Sequence, residues 1–119
     1  MFELKIETHF SAAHHLLNYN GVCENQHGHN WKVEVYVVGE ELNQSGILVD
    51  FKVLKKAVNE ILETLDHKDL NTLPFFEGKS PSSENISKYL YYELKKQFEN
   101  IKKVSVWETD NACATFYEE

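Results

Sequence analysis

Hydrophobic and polar positions alternate through the first segment. Phe2, Leu4, Ile6 and Phe10 fall on one face and Glu3, Lys5 and Glu7 on the other, the period-two pattern of a strand with one solvated side. Residues 31–38, WKVEVYVV, repeat it with Trp31, Val33, Val35 and Val37 on one face. Tyr36 and Val38 make the opposite face only partly polar, which predicts that it is covered. Gly39, Asn43, Ser45 and Gly46 mark a loop. After Asp50, which reads as a helix N-cap, the period becomes helical: Phe51, Leu54, Val58, Ile61, Leu62 and Leu65 recur on one side. A connection over 67–81 holds both prolines, Pro74 and Pro81. Ser82 or Ser83 caps a second helix, with Glu84 in its first turn and Ile86, Leu90, Leu94 and Phe98 as its buried stripe. Two strand-like segments, 101–108 and 112–117, flank the turn residues Thr109-Asp110-Asn111 and read as a hairpin. Strands and helices are segregated in order, so the pattern predicts an α+β fold: an antiparallel four-stranded sheet with two helices on one face. Its two open edges invite pairing with other copies of the chain.

Length sets the scale. The 119 residues form one expected domain, 1–119. A chain of this size, 42% hydrophobic, buries enough surface to fold without a disulfide or a structural metal. The 12 basic residues against 19 acidic give a net charge of −7, which offers no general attraction to nucleic acid or to an anionic membrane. Any anionic ligand must therefore meet local positive charge. Two cysteines, Cys23 and Cys113, are too few for a disulfide framework and fit a reducing compartment. The start, MFELKIETHF, carries no signal-peptide pattern and no apolar run reaches membrane-spanning length. The expected location is the cytoplasm.

The candidate chemistry lies in the histidines. Of six, four fall between positions 14 and 29. His27-Gly28-His29 runs into the second strand, where residues i and i+2 share a face, so both rings can reach one point. Two imidazoles from a strand and one from elsewhere make a three-histidine zinc site, whose open fourth position is the catalytic arrangement. Of the adjacent pair His14 and His15, which face opposite ways on a strand, only one is expected to join it. Surface histidines at this spacing are the bland alternative. Cys23 lies four residues before His27. A cation there would favour its thiolate, a usable base or nucleophile; the other reading is a structural or metal-binding cysteine. Cys113, in the last strand, reads as a small packed hydrophobe. Asp66-His67 is either a carboxylate tuning an imidazole for proton transfer or a helix end. Glu108, at the end of the Val104–Val106 stripe, is either a solvated strand end or a buried anchor for a ligand's N–H groups.

Six pieces in register resemble the 6-pyruvoyl-tetrahydropterin synthase family. They are Phe10-Ser11-Ala12-Ala13-His14-His15-Leu16, Cys23-Glu24-Asn25-Gln26-His27-Gly28-His29-Asn30, Gly46-Ile47-Leu48-Val49-Asp50-Phe51, Leu65-Asp66-His67, Pro81-Ser82-Ser83-Glu84-Asn85 and Trp107-Glu108-Thr109. The resemblance implies the tunnelling fold, in which α+β subunits join their sheets edge to edge into an oligomeric barrel. It implies a trimer-based homo-oligomer, a hexamer where two barrels stack, with active sites at subunit interfaces. It assigns His14, His27 and His29 as Zn2+ ligands, Cys23 as the proton acceptor, Asp66 and His67 as its relay partners, and Glu108 as the catalytic-site carboxylate that grips the pterin. Ser82 and Ser83 stand where family members place hydroxyls near the pterin. Three residues, Glu24, Asn25 and Gln26, separate Cys23 from His27. That spacing resembles the branch of lyases that converts 7,8-dihydroneopterin triphosphate to 6-carboxy-5,6,7,8-tetrahydropterin, acetaldehyde and triphosphate on the route to 7-deazapurines such as queuosine. The branch that forms the pyruvoyl product usually has five. A third branch, which cleaves the side chain for folate, uses a glutamate in the region of Glu24. A non-catalytic protein that binds zinc or pterin is the alternative outside enzymology.

Overall fold

The computed structural model describes residues 1–19, 21 and 23–119. Its elements are β1 (Phe2–His14), β2 (His27–Gly39), α1 (Phe51–Leu62), β3 (Lys68–Asp69), α2 (Ser83–Lys95), β4 (Ile101–Thr109) and β5 (Ala112–Phe116), with two short 3-10 turns at Leu70–Thr72 and Pro74–Phe76. The sheet order is β3-β1-β2-β4-β5. The α+β class and the two helices agree with the sequence pattern. The four-stranded, wholly antiparallel sheet does not: β3 adds a fifth strand, parallel to β1, through Ala12–Lys68 and Ala13–Asp69. Two residues are too few to show a period. What places them is His67, whose φ of 58° turns the chain and whose backbone N–H donates to the Ser11 carbonyl.

One face of the sheet carries the core. Ile6, Phe10, Trp31, Val33, Val35, Val37, Val104 and Val106 are all buried there. They pack against Leu54 and Val58 of α1 and Ile86, Leu90 and Leu94 of α2. Each fully buried large aliphatic contributes about 1.5–3 kcal/mol, so this layer fixes the sheet's shape at its end, where the functional side chains lie. Both helix starts follow the sequence pattern. Asp50 accepts from the Lys52 N–H at 2.8 Å, and Ser82, not Ser83, caps α2 by accepting from the Asn85 N–H at 3.2 Å.

The other face is covered by its own side chains. Glu34 is only 6% exposed. It accepts hydrogen bonds from the Trp107 indole N–H and from Lys5 Nζ at 3.1 Å. Burial alone would raise the Glu34 pKa, but these two bonds and the Lys5 and Lys32 charges outweigh it and hold the carboxyl below its usual range. Lys32 lies 4.4 Å over the Trp107 ring and Lys103 4.5 Å over Tyr36. Cys113, expected to pack as a small hydrophobe, is exposed. The reason is register: it pairs with Trp107 on this outer face, at the sheet's edge strand. No helix among the described residues is long and apolar enough to cross a membrane.

Candidate metal centre

Strand pairing builds the site. β1 and β2 are antiparallel, with His14 opposite His27, Ala12 opposite His29 and Phe10 opposite Trp31. Side chains on paired or alternate positions share a face, so His14, His27, His29 and buried Trp31 continue the core stripe to the end of the sheet. β4 enters from the other side of β2, with Val106 opposite Val33. Glu108, two residues on, points the same way.

One ligand atom from each of His14, His27, His29 and Glu108 lies within 4.8 Å of the others. Glu108 Oε1 is 2.8 Å from His29 Nε2, 3.3 Å from His14 Nε2 and 3.8 Å from His27 Nε2. Trp31 forms the apolar floor, edge-on to His14 and His29 with centroids 4.8 and 5.3 Å apart. The rings are oriented from behind. His14 Nδ1 donates to the Pro81 carbonyl at 2.7 Å and His27 Nδ1 to the Asn25 carbonyl at 2.8 Å. A carbonyl can only accept, so in the neutral rings Nε2 holds the lone pair, and both lone pairs are aimed at the cluster. Burial lowers the His29 pKa, aided by the His14 and His27 charges and against the pull of Glu108. Neutral imidazole is the form that ligates metal. His29 Nε2 is buried without a hydrogen-bond partner although a carboxylate oxygen stands 2.8 Å away; the approach has the wrong angle for a hydrogen bond. Three imidazole nitrogens and one carboxylate oxygen, dry on the Trp31 side, fit Zn2+ by donor type.

The structure brings the three predicted ligands together and selects His14 over His15. It also adds Glu108 to them, where the sequence reading had an open position and a carboxylate directed at a ligand. The remaining predicted residues lie around this centre. Cys23 is exposed in the β1–β2 connection and is not one of the four clustered residues. Asp66 Oδ1 accepts from the Ser11 N–H at 2.8 Å while Oδ2 lies 3.0 Å from His67 Nδ1. The Ser11 bond, then the His67 contact, hold Asp66 below the ordinary carboxylate range. Ser82 and Ser83 follow Pro81, whose carbonyl orients His14. His29 and His67 line one open groove of about 520 Å3, together with Ser11, Asn30, Lys68 and Asp69.

Several supporting residues are invisible to motif reading. The carbonyls of Pro81 and Asn25 are backbone groups and leave no side-chain signal. His15 is held between Gln26 Oε1 at 2.6 Å and Asn71 Nδ2 at 3.3 Å, and Asn71 also bonds the His15 N–H and carbonyl, so this histidine braces the end of β1. Glu24 bonds Leu16 twice, through its backbone N–H at 3.0 Å and its carboxylate at 3.1 Å.

Comparison with known proteins agrees with this geometry. The family model for 6-pyruvoyl tetrahydropterin synthase matches residues 3–119. A Bacillus subtilis 6-carboxy-5,6,7,8-tetrahydropterin synthase is 39% identical over 76% of this chain and 63% of its own. The human 6-pyruvoyl tetrahydrobiopterin synthase is 36% identical over 90% of this chain and 85% of its own. The structure of Caenorhabditis elegans 6-pyruvoyl tetrahydropterin synthase superposes with a TM-score of 0.86 at 28% identity, covering 99% of this chain and 96% of that one. The chain belongs to the 6-pyruvoyl tetrahydropterin synthase family, has its tunnelling fold, and is an enzyme of that kind.

Proposed function

We propose that the protein is a zinc-dependent 6-carboxy-5,6,7,8-tetrahydropterin synthase. It takes 7,8-dihydroneopterin triphosphate to the carboxypterin, acetaldehyde and triphosphate, a step toward 7-deazapurines. The observation that carries the metal half of this reading is the cluster of His14, His27, His29 and Glu108 within 4.8 Å. The three-residue interval from Cys23 to His27 supports this branch over the pyruvoyl-forming one. Glu24 is the feature shared with the side-chain-cleaving branch; its carboxylate accepts from the Leu16 N–H at 3.1 Å and lies 3.8 Å from His27 Nδ1.

Zn2+ held by His14, His27 and His29 would polarise the side-chain hydroxyls of the substrate and stabilise developing negative charge. The chain's own residues supply the rest. Cys23, exposed beside the histidine run, takes a proton as thiolate. His67, paired with Asp66 Oδ2 at 3.0 Å, restores its protonation state. Glu108 and the hydroxyls of Ser82 and Ser83 hold the pterin so that this transfer is in register. The chain has no arginine, and Lys68 in the groove beside His29 and His67 is the cation at hand for a phosphate chain. The open strand edges support a homo-oligomer whose neighbouring subunit completes each site.

Product analysis is the test. Zinc-loaded protein incubated with 7,8-dihydroneopterin triphosphate is expected to release acetaldehyde and a 6-carboxypterin, read by mass spectrometry. A 6-pyruvoyl or 6-hydroxymethyl product would move the protein to another branch, and tight binding without turnover would make it a binding protein.

A further inference from the structure

A single oxygen of Glu108 addresses all three histidines, at 2.8, 3.3 and 3.8 Å. For zinc bonded at about 2.0–2.1 Å, the edge of a tetrahedron is about 1.6 times the bond, or about 3.3 Å. The three distances bracket that value. An oxygen standing at the cation's own position would instead lie about 2 Å from each nitrogen. Glu108 Oε1 therefore lies at the separation of a neighbouring ligand, rather than of the cation, from the three Nε2 atoms. Hydrogen bonding accounts for at most the His14 contact, at 3.3 Å. His14 and His27 spend their Nδ1–H groups on the Pro81 and Asn25 carbonyls, so the neutral rings turn lone pairs toward the carboxylate, and His29 Nε2 has no hydrogen-bond partner. Four electron-pair donors converging on one point repel each other unless a cation lies between them.

We propose that Glu108 is an exchangeable fourth ligand. Its carboxylate closes the coordination shell of the resting centre and leaves it for the N–H groups of an arriving pterin, opening a position for the substrate's side chain. The proposal rests on the reading that the centre holds a metal and the site takes a pterin. The four donors are not equally fixed. The His14 side chain is 2% exposed and anchored from behind; the Glu108 side chain is 36% exposed. Glu108 also sits where the β4–β5 register shifts, between the pairs Trp107–Cys113 and Thr109–Ala112. A bulge of this kind frees one residue from the ladder and re-aims its side chain. The carboxylate trades a metal bond for charge-assisted hydrogen bonds to the pterin ring, while the three imidazoles stay in place.

The test uses the full-length protein loaded with Zn2+ or with Co2+, whose visible absorption reports its coordination. Competition with a chromogenic chelator is expected to show zinc bound at least about tenfold more weakly in Glu108→Ala than in wild type, and more weakly also in Glu108→Gln, which keeps the side chain's shape. The Co2+ spectrum of Glu108→Ala should differ from wild type, and added acetate should restore it. Equal zinc affinity and identical Co2+ spectra in all three proteins would overturn ligation by Glu108. For exchange, an oxidised pterin that cannot react is titrated into the Co2+ wild type, with binding followed by calorimetry. The spectrum is expected to change as the pterin binds; saturation with an unchanged spectrum would overturn the exchange. No pterin binding at all would overturn both the exchange and the pterin chemistry above, while the zinc and acetate measurements still decide whether Glu108 ligates.

Discussion

A histidine ligates a metal only while it is neutral and aimed, and here both conditions are met by neighbours outside the motif. His27 is aimed by the Asn25 carbonyl and faces His14 across the β1–β2 ladder. His27→Ala is expected to leave the protein folded and nearly free of zinc, as read by elemental analysis of protein purified without a histidine tag; a full zinc complement would refute the ligand set. Cys23→Ala should do the reverse, keeping its zinc and losing turnover, because the thiol lies outside the four-residue cluster. Lost zinc in that variant would make Cys23 a ligand. Asp66 carries a stability prediction with a definite sign. Its folded pKa lies below the usual value because of the Ser11 N–H, then His67. The stabilisation is therefore complete above the unfolded pKa of about 3.9 and fades as pH falls through the lowered folded value. Urea midpoints measured from about pH 5 down to about pH 2 should fall less steeply for Asp66→Asn than for wild type; parallel profiles would show that Asp66 gains nothing from folding. The residue scale also shows what a sequence can carry. His27 and His29 were legible because a two-residue period is a local rule. The choice of His14 over His15 was not legible in periodicity, since it depends on which face of β1 meets the core; only the family resemblance made it. Glu108 was legible as a site residue but not as a partner of three histidines, because that contact joins residues 79 to 94 positions apart through two strand pairings and a bulge.

At the scale of elements, the two helix starts do different work. α1 has no acidic residue in its first turn and no basic one in its last, so the Asp50 cap is its main terminal support. α2 begins at Ser82 directly after Pro81, and the Pro81 carbonyl orients His14. Asp50→Ala and Ser82→Ala are each expected to lower stability by about 1 kcal/mol, seen as a lower urea midpoint with an unchanged slope. Only Ser82→Ala should also weaken zinc binding in a chelator competition, since only that cap fixes a carbonyl behind a ligand. Equal zinc affinity in the two variants would separate the cap from the centre. Both helices, and β1, β2 and β4, could be read from periodicity because each buries a stripe; β5, which has no buried residue, was legible through the turn residues Thr109-Asp110-Asn111. β3 was not. It exists because His67 turns the chain and the Asp66–His67 pair clasps Ser11, a tertiary cause with no period of its own.

The whole molecule leaves a problem that its own residues do not solve. β1 is 13 residues long, and among the described residues the edge facing away from β2 is engaged only near its end, at Ser11 by Asp66 and His67 and at Ala12 and Ala13 by β3. At the far side of the sheet β5 is a second edge. Exposed edges of this length are templates for pairing with another chain. No proline interrupts either strand, and the charged residues of β1 lie in the sheet faces rather than blocking the backbone. The molecule is also elongated, with extents of 54 × 28 × 27 Å. On the sheet's outer face Glu34 is already buried with its Lys5 and Trp107 partners, so the surface is satisfied yet framed by unpaired backbone on both sides. A second copy can pair β5 with the free length of β1 by the same hydrogen-bonding rule that builds the rest of the sheet. Such an edge-to-edge contact is heterologous, and it ends either in a closed ring or in an open filament. The right-handed twist of the sheet favours closure. The expected outcome is a discrete oligomer with a mass that is a small multiple of 13.9 kDa, measured by sedimentation equilibrium, and an unfolding midpoint that rises with protein concentration because association stabilises the folded subunit. A particle that stays at one subunit mass over the whole range, with a concentration-independent midpoint, would show that both edges are protected in solution and that each metal centre must work within a single chain.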